Sequence, residues 1–268
     1  MSIDFLQISR PIDLIYSETL FSVFGFKVNN STMLFFLILV IVAIVCFFII
    51  RNFKMVPDRG QVVIEIIYEM IEGLIFQITK NKWQTNLILP FIGSLLIFIS
   101  ISNLIGNLPG LTSITFGGKS VFRAPTSDFS TTFSLAAASL LTIQYMSIRD
   151  FGILGYIGRF IKVKEVYLGF KQGLASGLLS LVDLFIGFLD IIGECAKIIS
   201  ISLRLFGNIF AGMVLTTVVF GMFAYVLPTF LMAMGLMFAI VQAVVFSALV
   251  TVYYSLAIKP KEQSENYL

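Results

Sequence analysis

Histidine is absent from the 268 residues, and cysteine occurs only twice. Without histidine the chain lacks the commonest metal ligand and the side chain that ordinarily titrates near neutral pH. Cys46 and Cys195 both fall in apolar segments, a pattern that implies neither a disulfide framework nor a metal site. Charge is scarce as well. Asp, Glu, Lys and Arg make up 12% of the residues, about half the share usual in a soluble globular chain. No basic cluster is interleaved with aromatic residues, so nucleic acid is not an expected partner. Residues 1–30 mix Asp4, Arg10, Asp13 and Glu18 with apolar side chains, and lack the basic start and unbroken apolar core of a cleavable signal.

What fills the chain instead is hydrocarbon. Hydrophobic residues account for 58% of it, with 28 Phe and a mean hydropathy of +0.98. Several apolar runs reach the length needed to cross about 30 Å of bilayer core, which predicts an all-α polytopic membrane protein. Residues 1–30 form an outer-side N-terminal segment and 31–268 a single transmembrane domain. Spans are expected at 33–51, 86–108, 129–148, 173–221 and 229–258. Residues 58–82 differ in kind: Val63, Ile66, Ile67, Met70, Ile71, Leu74 and Ile78 recur at helical spacing, with Glu65, Glu69 and Glu72 on the other side. That pattern predicts an amphipathic helix lying in the interface; the alternative is a helix packed on a soluble partner.

Basic residues set the orientation. Arg51, Lys54, Arg59, Lys80 and Lys82 follow the first span, and Arg149, Arg159, Lys162, Lys164 and Lys171 follow the third. The 109–128 loop has only Lys119 and Arg123. Positive residues favour the inner side, so the N-terminus lies outside and the chain crosses five times. The tract from Gly173 to Gly221 is then 49 residues long, about 74 Å as one helix. No proline interrupts it, which favours an oblique crossing with 229–258 returning beside it as the second arm of a hairpin.

Within that tract the charged residues are ordered. At about 100° per residue, Asp183, Asp190, Glu194, Lys197, Arg204 and Asn208 fall within about 80° of one another around the helix. Charges at mid-membrane cost at least about 2.5 kcal/mol and usually face a cavity or partner. Glu194 and Lys197, three residues apart, can neutralise each other as a structural ladder. Arg204 has no acid within two turns of its own helix, and after it no charge appears until Lys259. A guanidinium stays protonated in any environment; its counter-charge is expected from elsewhere, such as another subunit.

The run SLRLFGNIFAG, Ser202–Gly212, resembles the signature of subunit a of F-type ATP synthases, subunit 6 in mitochondria. GNLPG at 106–110, APTSDFSTTFSLA at 124–136 and VQAVVFSALVTVYYSLA at 241–257 follow in that family's order and spacing. The resemblance implies a non-catalytic proton-translocating subunit with two offset half-channels beside a rotating ring. Its implied partners are the c-subunit ring, the b-subunit peripheral stalk, the remaining ATP synthase subunits and the lipid bilayer, with no cofactor. Arg204 corresponds to the family's essential arginine, which meets a ring carboxylate, and Gln242 to its glutamine on the returning helix. The resemblance further implies a bacterial inner membrane or, alternatively, a mitochondrial one.

Under the orientation above, Asp183, Asp190 and Glu194 suit an inner exit path and Asn208 an outer entry. Asn103, Asn107 and Asp128 stand at the outer ends of neighbouring spans and can line the inlet; Asp128 can equally be a helix N-cap. Met213 and Gly235 occupy places where many relatives carry a titratable pair, so entry is expected to rely on water with Asn208, Thr216, Thr217 and Asp128. A secondary ion transporter working through the acidic stripe is the competing class, but neither an internal repeat nor a Pro-interrupted pair of spans accompanies it. No phosphate-binding loop or catalytic base is evident, which leaves ATP chemistry to other chains.

Overall fold

A computed structural model of the protein describes residues 19–23, 26–107, 115–116, 119–120, 123–160, 174–222 and 226–258. Lys162, Lys164, Lys171 and the tail from Lys259 lie outside the described residues, as do the side chains of Arg159, Asp183 and Thr217. Among the described residues six α-helices carry the fold: α1 Asn30–Arg51, α2 Arg59–Thr79, α3 Lys82–Gly106, α4 Phe129–Phe160, α5 Leu174–Met222 and α6 Val226–Ala257. A short antiparallel hairpin, β1 Thr19–Val23 and β2 Phe26–Asn29, leads into α1. A smaller ribbon, β3 Thr115–Phe116 and β4 Lys119–Ser120, lies between α3 and α4.

Among the described residues, four helical stretches are long and apolar enough to span a bilayer: Asn30–Arg51, Lys82–Gly106, Leu184–Thr216 and Thr229–Ala257. Helix α4 is long but diluted with polar residues, among them Ser130, Thr131, Thr132, Ser134, Ser139, Thr142 and Gln144. Several of those hydroxyls bond back to carbonyls one turn earlier; Ser139 Oγ donates to Leu135 O at 2.8 Å and Thr142 Oγ1 to Ala138 O at 2.8 Å. Polar side chains satisfied in this way remain compatible with a buried helix.

Helix ends follow from local chemistry. Lys80 takes the left-handed conformation (φ 53°) and its N–H bonds to Phe76 O at 2.8 Å, closing α2. Asn81 then caps α3, its Oδ1 accepting from the Trp83 N–H at 3.0 Å. The turn is tied down by Thr79 and Thr85, whose hydroxyls lie 2.7 Å apart. Gly106 ends α3 where a Cβ would collide with Ala124, so a glycine there permits the close approach of the two backbones.

The third span departs from its expected end near residue 148. Helical structure continues to Phe160, but Gly152 breaks it at φ 72° and ψ 159°, a conformation open essentially to glycine alone. Tyr156 consequently folds back, its hydroxyl donating to Gln144 Oε1 at 2.8 Å. A straight helix would hold these two residues about 18 Å apart along the axis.

The long tract is one continuous helix, α5, of 49 residues. With α6 it builds a common core: Ile201 and Leu205 of α5 meet Ala243, Phe246, Val250 and Tyr254 of α6, Ile88, Ile92 and Ile99 of α3, and Ala136, Leu140 and Ile143 of α4. Between lipid-solvated helices this contact works by close packing rather than by escape from water. At the C-terminal end of α6, Ser147 Oγ of α4 donates to Ala257 O at 2.9 Å. Helix α2 buries Ile71 and Ile75 and leaves Val63, Ile66, Ile67 and Met70 exposed, so its apolar surface is only partly covered by its own chain. Helix α1 is attached mainly near its N-terminal end, where Leu34 and Ile38 are buried and the Phe35 and Phe98 rings meet edge-on at 5.0 Å.

Candidate functional site

Arg204 lies in the apolar stretch Leu184–Thr216 of α5. Its neighbours Ile201, Ser202 and Leu205 point into the core, whereas Leu203 and Arg204 are exposed. Among the described residues Arg204 has no hydrogen-bond or ion-pair partner. Gly193, Ser200, Gly207 and Ala211 fall on the same face by helical rotation. Nothing stands within 4 Å of a Cβ added at Gly193 or Gly207. The guanidinium thus rises from a bed of small residues that another helix could approach closely.

The sequence-level stripe does not stay together. Asp190 is exposed like Arg204, but Glu194 and Lys197 are half-buried and turned toward α4 and α6. Lys197 Nζ bonds Glu194 Oε1 at 2.7 Å and sits 5.2 Å from the centroid of the Tyr253 ring. Gln144 Nε2 of α4 donates to the other carboxylate oxygen, Oε2, at 2.8 Å. Gln144, Tyr156 and Tyr253 were not evident from sequence. A polar residue at helical depth in α4 was the available signal for Gln144; the two tyrosines had none.

Toward the C-terminal end of α3, α3 and α6 share a seam of carboxamides. Asn103 is fully buried; its Nδ2 donates to Ala239 O at 3.3 Å, and its Oδ1 has no partner among the described residues. One turn further along α3, Asn107 Nδ2 donates to Asn103 O at 2.9 Å. Asn107 Oδ1 lies 3.1 Å from where a Cβ on Gly235 would stand. Gly235, Ala239 and Gln242 share one face of α6. Gln242 is buried, and its Nε2 lacks a partner among the described residues. Unpaired amide groups at such depth cost free energy unless water or a ligand satisfies them. Asn208 is half-buried on α5, one turn beyond Arg204, and Thr216 Oγ1 is spent on Gly212 O at 2.8 Å.

Asp128 ties two helix N-termini together. Its Oδ1 accepts from the Ser130 N–H at 3.2 Å and hydroxyl at 3.1 Å, capping α4. Its Oδ2 accepts from Ser31 Oγ of α1 at 3.0 Å. Both termini carry the positive end of a helix dipole, which suits a carboxylate. Asp183 belongs to α5, with its side chain outside the described part. Among the described residues no three His, Cys, Asp or Glu side chains gather where they could hold a metal.

Apolar spans, a lone exposed guanidinium and a carboxamide seam are joined by a match to the family model described as ATP synthase A chain, over residues 32–255. The chain belongs to the ATP synthase A chain family. Relatives include ATP synthase subunit a 2 of Bradyrhizobium sp., 28% identical over 90% of this chain and 94% of that protein. ATP synthase subunit a of Moorella thermoacetica is 28% identical over 91% and 94% respectively. ATP synthase subunit a of Desulforamulus reducens is 30% identical over 74% of this chain and 67% of its own length. The helices of an ATP synthase A chain therefore frame both features, Arg204 on the open face of α5 and Gln242 within the α5–α6 hairpin.

Proposed function

We propose that this chain is the stator proton path of a rotary ATP synthase, in which Arg204 acts as the fixed cation facing a carboxylate on each subunit of a moving c ring. The observation that carries the reading is the exposed guanidinium of Arg204, unpartnered among the described residues and surrounded by Gly193, Ser200, Gly207 and Ala211. A permanent charge on an apolar surface requires an opposite charge or water. The small residues around it favour a partner helix that comes close and moves on.

Protons enter along the α3–α6 seam, where Asn107, Asn103 and Gln242 offer open acceptors and donors to water, with Asn208 alongside. They leave on the inner side past Glu194, Asp190 and Asp183. Arg204, which cannot release its proton, keeps the two halves from joining directly. Asp128 acts as a cap that fixes the outer end of α4 rather than as a relay, since both its oxygens are engaged by Ser31 and Ser130. The membrane potential supplies about 2.3 kcal/mol per charge per 100 mV across this path. The b-subunit peripheral stalk holds the chain against the ring's rotation in a bacterial inner membrane, and the chain itself carries out no ATP chemistry.

The test is ATP-driven proton pumping by the assembled complex in inverted vesicles. Arg204→Ala abolishes pumping while the complex remains assembled on a native gel. Normal coupled pumping by that variant overturns the reading.

A further inference from the structure

Glu194 is the point at which three helices exchange polar contacts. Gln144 of α4 holds Oε2 at 2.8 Å, and Lys197 of α5 holds Oε1 at 2.7 Å. The same ammonium rests on the Tyr253 ring of α6 at 5.2 Å. With both oxygens engaged, the carboxylate has a defined direction rather than a choice of rotamers. Gln144 is itself oriented. An amide can present either its oxygen or its nitrogen to a neighbour, and Tyr156, by donating its hydroxyl to Gln144 Oε1 at 2.8 Å, leaves the NH₂ group turned toward Glu194. Tyr156 reaches this place because Gly152, at φ 72° and ψ 159°, bends the chain sharply within α4.

We propose that Gln144 and Tyr156 are positioning residues for Glu194, and that the turn beyond Gly152 is the clasp keeping this carboxylate aimed along the inner proton path. The inference rests on the proton-path reading above. Hydrogen-bonded side chains strung between packed helices act as a unit. Loss of the terminal Tyr156 hydroxyl should therefore be felt at Glu194, two contacts away. Lys197 alone would leave Oε2 free and the carboxylate able to swing about one bond.

The experiment uses the complete ATP synthase reconstituted in liposomes, measuring ATP-driven proton pumping and the infrared band of the Glu194 carboxylate. That band is identified as the one missing in Glu194→Gln. Tyr156→Phe removes one oxygen and preserves the ring, so assembly on native gels should match wild type. The account expects Tyr156→Phe and Gln144→Leu each to slow pumping about two- to tenfold, the loss of one positioned hydrogen bond. It also expects both to shift the Glu194 band. In a Glu194→Gln background neither should slow pumping further, because they act through that carboxylate.

Wild-type pumping with an unmoved band in Tyr156→Phe overturns the inference, and so does a full additional loss in the Glu194→Gln background. Should Gln144→Leu fail to assemble, Tyr156→Phe still decides. Failure of the underlying proton-path reading has a different signature: Arg204→Ala pumps normally, whatever Tyr156→Phe does.

Discussion

Asn107 of α3 lies against the bare backbone of Gly235 in α6, its Oδ1 3.1 Å from where a Cβ would be. The contact depends on residue 235 having no side chain. Asn107 in turn bonds Asn103 O at 2.9 Å, and Asn103 bonds Ala239 O at 3.3 Å. Two carboxamides thus occupy the α3–α6 seam, and on the proposed entry path water could carry the proton there without a titratable group.

Gly235→Ala should move the Asn107 amide by a few tenths of an ångström and leave assembly intact. Proton pumping in reconstituted vesicles is expected to fall about two- to tenfold, the range for one disturbed hydrogen bond. Wild-type pumping would remove this seam from the entry path.

Asp128 separates a capping role from a relay role. Asp128→Asn retains an acceptor for the Ser130 N–H, and asparagine caps as well as aspartate. Pumping is expected to stay near wild type. Asp128→Ala loses the cap and the Ser31 link, costing about 1–2 kcal/mol of stability, seen as less complex surviving detergent extraction. A severe pumping defect in a fully assembled Asp128→Asn complex would assign the carboxylate to the proton path instead.

Gly152 stands in a conformation that an L side chain enters only at a cost of about 1–3 kcal/mol. Gly152→Ala should release the fold-back within α4, part Tyr156 from Gln144, and slow pumping as Tyr156→Phe does. Proteolysis of the 153–160 segment should rise in step. An alanine variant with unaltered proteolysis would show that the turn tolerates a Cβ.

Most of the architecture was legible because lipid imposes long helices with internally satisfied backbones. The expected interfacial helix at 58–82 is α2 at Arg59–Thr79, and the 49-residue tract is α5 without a break. The end of α4 was harder to read. Gly152 sits among several glycines in a mildly polar stretch, and nothing local distinguishes a helix that ends from one that reverses. The stripe on α5 illustrates a second limit. Helical rotation alone puts Lys197 and Arg204 about 20° apart, but α6 packs on the helix at Lys197, whose ammonium rests on Tyr253, and leaves it bare at Arg204. Which part of one face is covered depends on partner helices, and rotation angles carry no trace of them. Gln144 was missed for the same reason, since its importance comes from what lies opposite.

The account turns on whether Arg204 meets its counter-charge on a moving neighbour. The most direct measurement is ATP-driven proton pumping alongside ATP hydrolysis by complexes carrying Arg204→Ala, with assembly verified on native gels. Pumping lost from an assembled complex is the predicted result. An assembled Arg204→Ala complex that pumps as wild type, with hydrolysis still coupled to proton movement, would contradict it.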